Sequence, residues 1–287
     1  GWIPILDKTV ADVPSKGNSE GIFVYGDPVH DKSNKVSNTG VVASDVTAAG
    51  TGRYALGACE YGGDKGIFGY GNTASGYVSV TNLVSNSGVV ASDVTGVGTA
   101  RYELEACSYG DDKGIFGYGI TGSRVSLTNL VSNSGVVATD TTGVGTARSD
   151  LGACEYGGDK GIFGYGTTGS VSSLTNLVSN VGVVATDTTG VGTARRALAA
   201  CGYGFDKGIF GFGYSYVSMT NLVTNAGVVG TDVTGVGTDR ANPAATQYGG
   251  DKGIFGYGYA DGALSMSNLV SNSGVVASDV TGVGTAR

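Results

Sequence analysis

The chain has 287 residues, a formal charge of −7, only 14% charged residues, 53 glycines and four prolines. Without clustered Lys and Arg it lacks the basic footprint that a phosphate backbone requires, and no apolar run approaches the roughly 20 residues of a bilayer-spanning helix. Glycine does not recur every third residue, which excludes collagen; it is interleaved with Val, Ile, Phe and Tyr, which points to packed β-structure rather than a flexible linker.

In chain order, Trp2-Ile3-Pro4-Ile5-Leu6 comes first, apolar and without a later counterpart. It reads either as a terminal segment that helps close a repeat array or as a docking segment for a partner protein, carried by Trp2, Ile3, Ile5 and Leu6. Lys8–Pro14 stands where later units have a first strand. SEGIFVYG at 19–26 then opens a pattern that returns five times as DKGIFGYG or a near copy, every 45 to 48 residues. Asp27–Asn34 replaces the usual turn and shortens the third strand of this first unit. Two further markers keep step: the glycines of SNTGVV and its variants (Gly40, Gly88, Gly135, Gly182, Gly227 and Gly274) and the arginines closing GTAR (Arg53, Arg101, Arg148, Arg195, Arg240 and Arg287). Three markers in phase, six times over, mean one supersecondary unit repeated, with bounds near 1–50, 51–98, 99–145, 146–192, 193–237 and 238–287.

The fourth unit serves as the specimen. Strands are expected at Leu151–Tyr156, Lys160–Tyr165, Val171–Val178 and Val183–Thr186, with Gly157-Gly158-Asp159 as the first turn. No helical stripe is present. Strand alternation puts Phe163 and Tyr165 on one face and Ile162, Gly164 and Gly166 on the other. A sheet with a bulky face and a bare face is expected to pack its rings over the glycines of its neighbour, because glycine within a strand marks close approach. Four-stranded antiparallel meanders repeated radially give an all-β, six-bladed β-propeller, within the range of about four to eight blades for that fold.

The order of an arginine, a small-residue strand, a Gly turn and an apolar strand closing on glycines, as in TARSDLGACEYGGDKGIFGYG, resembles kelch-type propeller repeats. The diglycine is replaced by Gly-Tyr-Gly or Gly-Phe-Gly, and Ser-Asn-X-Gly-Val-Val stands where the family has tryptophan. The repeats are also similar to predicted proteins of bacterial viruses, which implies a virion appendage or an extracellular surface as the setting. A copper-radical oxidase shares the kelch-like layout, but its site needs histidines and His30 is the only one in the chain.

No catalytic set emerges, and no cofactor or metal is expected. Cys59, Cys107, Cys154 and Cys201 hold equivalent positions in adjacent units, too far apart for disulfides, and read as small buried hydrophobes. Asp64, Asp112, Asp159, Asp206 and Asp251 read as turn residues. Asp45, Asp93, Asp140, Asp187, Asp232 and Asp279 read as bonds to a neighbouring unit, with calcium as the functional alternative. The loops between second and third strands differ from unit to unit, and varied loops on a rigid frame are where binding resides. Their tips supply Tyr77, Arg124, Tyr214, Tyr216 and Tyr259, suited to a protein surface or sugar rings. The expected function is a non-catalytic structural or recognition module that binds a protein or receptor; a multivalent lectin is the alternative. Nucleic acid and membrane insertion are not expected.

Overall fold

The computed structural model describes residues 18–287. The expectations for Trp2, Ile3, Ile5, Leu6 and Lys8–Pro14 lie outside the described residues. Among those described there is no helix, and the strands form six three-stranded antiparallel sheets and one two-stranded ribbon. Unit 1 contributes β1 (Gly21–Val24), β2 (Lys32–Val36) and β3 (Val46–Thr47). Unit 2 contributes β4 (Gly57–Tyr61), β5 (Lys65–Gly69), the ribbon β6 (Asn72–Thr73) and β7 (Gly76–Tyr77), and β8 (Thr81–Val84). The remaining units repeat three strands each: β9 (Glu105–Tyr109), β10 (Lys113–Gly117) and β11 (Thr128–Val131); β12 (Gly152–Tyr156), β13 (Lys160–Gly164) and β14 (Thr175–Val178); β15 (Ala199–Tyr203), β16 (Lys207–Gly211) and β17 (Thr220–Val223); β18 (Ala244–Tyr248), β19 (Lys252–Gly256) and β20 (Ser267–Val270).

In units 2 to 6 the Lys-Gly-Ile-Phe-Gly strand is the middle one. In unit 4, Cys154 faces Ile162 across one edge and Asn176 faces Phe163 across the other. The first turn needs two left-handed residues, Gly157 at φ 64° and Gly158 at φ 80°, which glycine adopts without steric cost. The third strand begins at Thr175 rather than Val171, which only bridges Thr167 across the loop. The expected fourth strand touches its sheet through bridges alone, Val178 with Val184 and Thr175 with Thr188. Between them the fully buried Asn176 donates to the Ala185 carbonyl and to Asp187, so a side-chain amide sits where ladder bonds would run.

Strict alternation fails at one place. Tyr165 has φ 64°, so the strand ends at Gly164 and the tyrosine swings to the opposite side from Phe163. Phe163 lies edge-on to Tyr118 of unit 3, whereas Tyr165 lies edge-on to Phe210 of unit 5. The expectation of rings over glycines holds: a Cβ added at Gly117 would sit 2.7 Å from Phe163 Cζ, and one at Gly164 equally close to Phe210. Phe116, Phe163 and Phe210 have no exposure, and burial of each ring contributes about 1.5–3 kcal/mol. Each hydrophobic cluster joins two units; one of them joins Phe23 and Val36 of unit 1 to Tyr248, Ile254 and Tyr257 of unit 6.

A polar clasp accompanies every aromatic seam. Between units 3 and 4, the unexposed Arg148 lies over the Tyr118 ring at 4.5 Å and approaches Asp187 at 3.6 Å. Thr146 donates to Asp187 through its amide and, at 2.6 Å, through its hydroxyl. Burial alone would raise the Asp187 carboxyl, but the bonds from Thr146 and Asn176 and the charge of Arg148 outweigh it and hold the group below its ordinary value. The same clasp links unit 6 to unit 1: Arg287 lies 4.0 Å over Tyr257, its Nη2 donates to Asn34 at 2.6 Å, and Thr285 donates to Asp45.

Candidate binding face

The residue after each seam arginine sets where the variable loops go. It forms a bridge with the first residue of its unit's loop: Tyr54 with Asn72, Tyr102 with Ile120, Ser149 with Thr167, Arg196 with Tyr214 and Ala241 with Tyr259. The next residue turns left-handed in every case, with φ between 52° and 55° at Ala55, Glu103, Asp150, Ala197 and Asn242. These five join in succession by backbone bonds: Glu103 to Ala55, Asp150 to Glu103, Ala197 to Asp150 and Asn242 to Ala197, at 2.8 to 3.1 Å. All five line a cavity of about 610 Å3 bounded by the first strands of units 2 to 6 and by β1. The variable loops therefore stand beside one mouth of that cavity.

Carboxylates gather at this mouth. Burial raises the Glu103 carboxyl, and the neighbouring Asp150 charge raises it further, against a 3.0 Å bond from the Ser149 hydroxyl and the charges of Arg196 and Arg124. Glu105, one strand residue deeper, is pushed up to about 8 by burial, with Asp150 adding to the effect. Asp150 itself is bound by Arg196 at 2.8 Å. A carboxyl raised as far as that of Glu105 holds its proton near neutral pH and can donate a hydrogen bond.

The aromatic residues fall into separate groups. Tyr77 is exposed and stacks on Tyr102 with centroids 4.4 Å apart, while the Tyr54 hydroxyl accepts a bond from Asn72. Tyr214 and Tyr216 are neighbours at 5.7 Å, and Arg196 lies over the Tyr214 ring. Tyr259 is exposed and lines the cavity mouth. Arg124 is half-buried and near enough to Glu103 to lower its carboxyl, and its Nε has no hydrogen-bond partner. Among the described residues no ring contact links Tyr77 or Tyr259 to the Tyr214–Tyr216 pair.

Sequence reasoning missed Tyr102, Glu103, Glu105, Asp150 and Arg196. For all of these but Glu105 the signal is positional: after an arginine that never changes, the pair of residues that follows differs from unit to unit. The calcium alternative for the Asp187 set loses its ligands, because these oxygens already accept bonds from Thr and Asn. The Asp159 set pairs with the adjacent lysine, as between Lys160 and Asp159 at 2.6 Å. All four cysteines are free. Their sulfurs fit against a neighbour's glycine, Cys59 at Gly114 and Cys107 at Gly161, and burial pushes the thiols up, away from the reactive thiolate. The chain matches no protein-family model and no curated protein sequence.

Proposed function

We propose that the six units form a closed six-bladed β-propeller, with the bridged edge segment as the fourth strand of each blade. We further propose that it acts as a non-catalytic recognition module, binding a protein or receptor through the loop face around the cavity mouth. The observation that carries this reading is the contrast between uniform seams and a loop face on which every unit differs. Exposed tyrosines supply apolar area with a polar tip at low entropic cost, as recognition surfaces use them. A part in a virion appendage or surface assembly draws on a second repeated feature. Six equivalent valines, Val41, Val89, Val136, Val183, Val228 and Val275, are each 60% to 65% exposed, one apolar side chain per unit for a partner to cover.

A carbohydrate-binding reading has one observation in its favour, the Tyr77–Tyr102 stack beside the Glu103 carboxyl. It calls for one or two distinct sites rather than six equal ones, because no other unit repeats this group. Two assays separate the readings. Affinity capture from the natural source with the intact chain, compared with a Tyr77→Ser, Tyr214→Ser, Tyr216→Ser, Tyr259→Ser chain, is expected to retain a protein only on the former. A glycan array that is positive and sensitive to Tyr77→Ser would replace the leading reading with the second. Equal capture by both chains would remove the loop face from either.

A further inference from the structure

Seven of the eight phenylalanines are buried, at 0% to 8% exposure, and Phe205 alone is 73% exposed. It sits in the turn between β15 and β16 at φ 69°, a left-handed conformation that strains a bulky residue. The same turn position is Gly63, Gly158 and Gly250 in units 2, 4 and 6, and Asp111 in unit 3. A ring that is both strained and wetted adds nothing to folding, and such outliers gather at functional sites. This turn and the turn after each third strand lie at one end of the sheet, and the variable loops lie at the other, because the connections of a meander alternate ends. At the end that carries Phe205 two more side chains depart from the repeat. Thr39, Ser87, Ser134 and Ser273 each share a hydrogen bond of 2.9 Å with the hydroxyl two residues earlier. Units 4 and 5 have Val181 and Ala226 there, both exposed, and neither side chain can form that bond. The departures adjoin one another. The Gly157 amide of the unit 4 turn donates to the Asp206 carbonyl of the unit 5 turn at 2.7 Å. Asn180, beside Val181, donates to Asp159, and Asn225, beside Ala226, donates to Asp206. Val183 and Val228 follow two residues later and are exposed as well.

We propose that this end of units 4 and 5 is a self-association surface and that its occupant is a second copy of the chain. A two-fold contact requires a patch that complements itself. Adjacent units supply the two halves. Unit 5 projects Phe205, and unit 4 offers Val181 beside Gly157-Gly158, a turn without side chains whose backbone a ring can approach closely. A two-fold axis between these units brings each Phe205 onto the partner's Val181. Charge fits as well. The chain carries −7 overall, which holds most of its surface away from a second copy. The two turns instead balance, with Asp159 paired to Lys160 at 2.6 Å and Asp206 to Lys207 at 2.8 Å. The apolar part of such a patch amounts to roughly 300–600 Å2 per copy. Two copies then bury at most about 1,200 Å2 of it, the low end of specific interfaces. The dimer is therefore reversible and forms in the micromolar range. No loop residue takes part, so this contact goes beyond the recognition reading and does not depend on it.

The test is sedimentation of the full chain across the micromolar range, beside Phe205→Gly and Val181→Ser variants. Both substitutions restore a residue that other units carry, and glycine relieves the left-handed strain, so neither threatens the fold. The parent chain is expected to pass from monomer to dimer as its concentration rises. Phe205→Gly should raise the dissociation constant at least about tenfold, as for loss of an aromatic anchor, and Val181→Ser should shift it less in the same direction. A Tyr214→Ser, Tyr216→Ser chain is expected to dimerise like the parent, which separates this surface from the loop face. A parent chain that stays monomeric at every concentration would overturn the proposal, and so would a dimer indifferent to Phe205→Gly. Capture of a different protein through Phe205 by a monomeric chain would assign the patch to that protein and overturn it too.

Discussion

The seam between units 3 and 4 and the loop face a few residues away follow opposite rules. At the seam, arginine, aromatic ring, threonine, asparagine and aspartate recur almost unchanged. At the mouth, the positions directly after the arginine read Tyr-Ala, Tyr-Glu, Ser-Asp, Arg-Ala and Ala-Asn in units 2 to 6. The seam must fit the same seam on its other side, so its residues are tied to one another by packing. The loops meet only solvent or a partner and are released from that requirement. Repetition therefore marks what holds the molecule together, and the lapses in repetition mark what it offers to others.

Acid breaks the seams all at once. The six clasp aspartates have carboxyls held below their ordinary value in the folded chain, so the stability they contribute is present above the unfolded carboxylate pKa, about 3.9, and is lost as pH falls through the lower folded values. Urea midpoints are expected to be highest near about pH 5, to decline towards about pH 7 as the raised Glu105 carboxyl keeps its proton only in the folded chain, and to fall steeply below about pH 4. An unchanged midpoint at about pH 3 would show that the clasps carry little. A single seam is opened by Arg148→Ala, which strands Asp187 and empties the space over Tyr118; the expected loss is about 3–5 kcal/mol by urea titration. Filling a seam is expected to cost less. Gly117→Ala drives a methyl against the Phe163 ring and should lose about 1–3 kcal/mol, and a neutral result would mean that the rings have room to move.

The loop face should respond in the reverse manner. Tyr214→Ser and Tyr216→Ser are expected to leave stability within about 0.5 kcal/mol of the parent chain. In the same variants, retention of the captured partner should fall at least about tenfold, as for loss of an aromatic anchor. A large stability loss without loss of capture would turn these tyrosines into structural residues.

Much of the frame was legible in the residues. The alternation of Ile, Phe and Gly in Lys-Gly-Ile-Phe-Gly was enough to place rings over a neighbour's glycines, because only close sheet packing explains glycine at those positions. The Tyr165 reversal was not legible, since a left-handed tyrosine looks like a strand residue until Arg195 is found 4.4 Å over its ring. The fourth strand was over-read for a related reason. Val183–Thr186 has strand composition and keeps backbone bonds such as that from Ala185 to Leu177, but the Asn176 amide takes the Ala185 carbonyl and breaks the ladder into separate bridges, and nothing local to the valines reports that. Of the candidate face, the tyrosines at loop tips could be found by comparing units. Glu103, Glu105 and Arg196 could not be grouped, because their meeting depends on the succession of backbone bonds around the cavity mouth.

Closure of the six units can be tested without knowing any ligand. Arg287→Ala and Arg148→Ala, unfolded side by side in urea, break the seam between units 6 and 1 and the seam between units 3 and 4. The closed arrangement predicts losses that agree within about 1 kcal/mol, each in a single transition. An Arg287→Ala chain as stable as the parent, beside an Arg148→Ala chain weakened by several kcal/mol, as breaking a buried pair would bring, would contradict it.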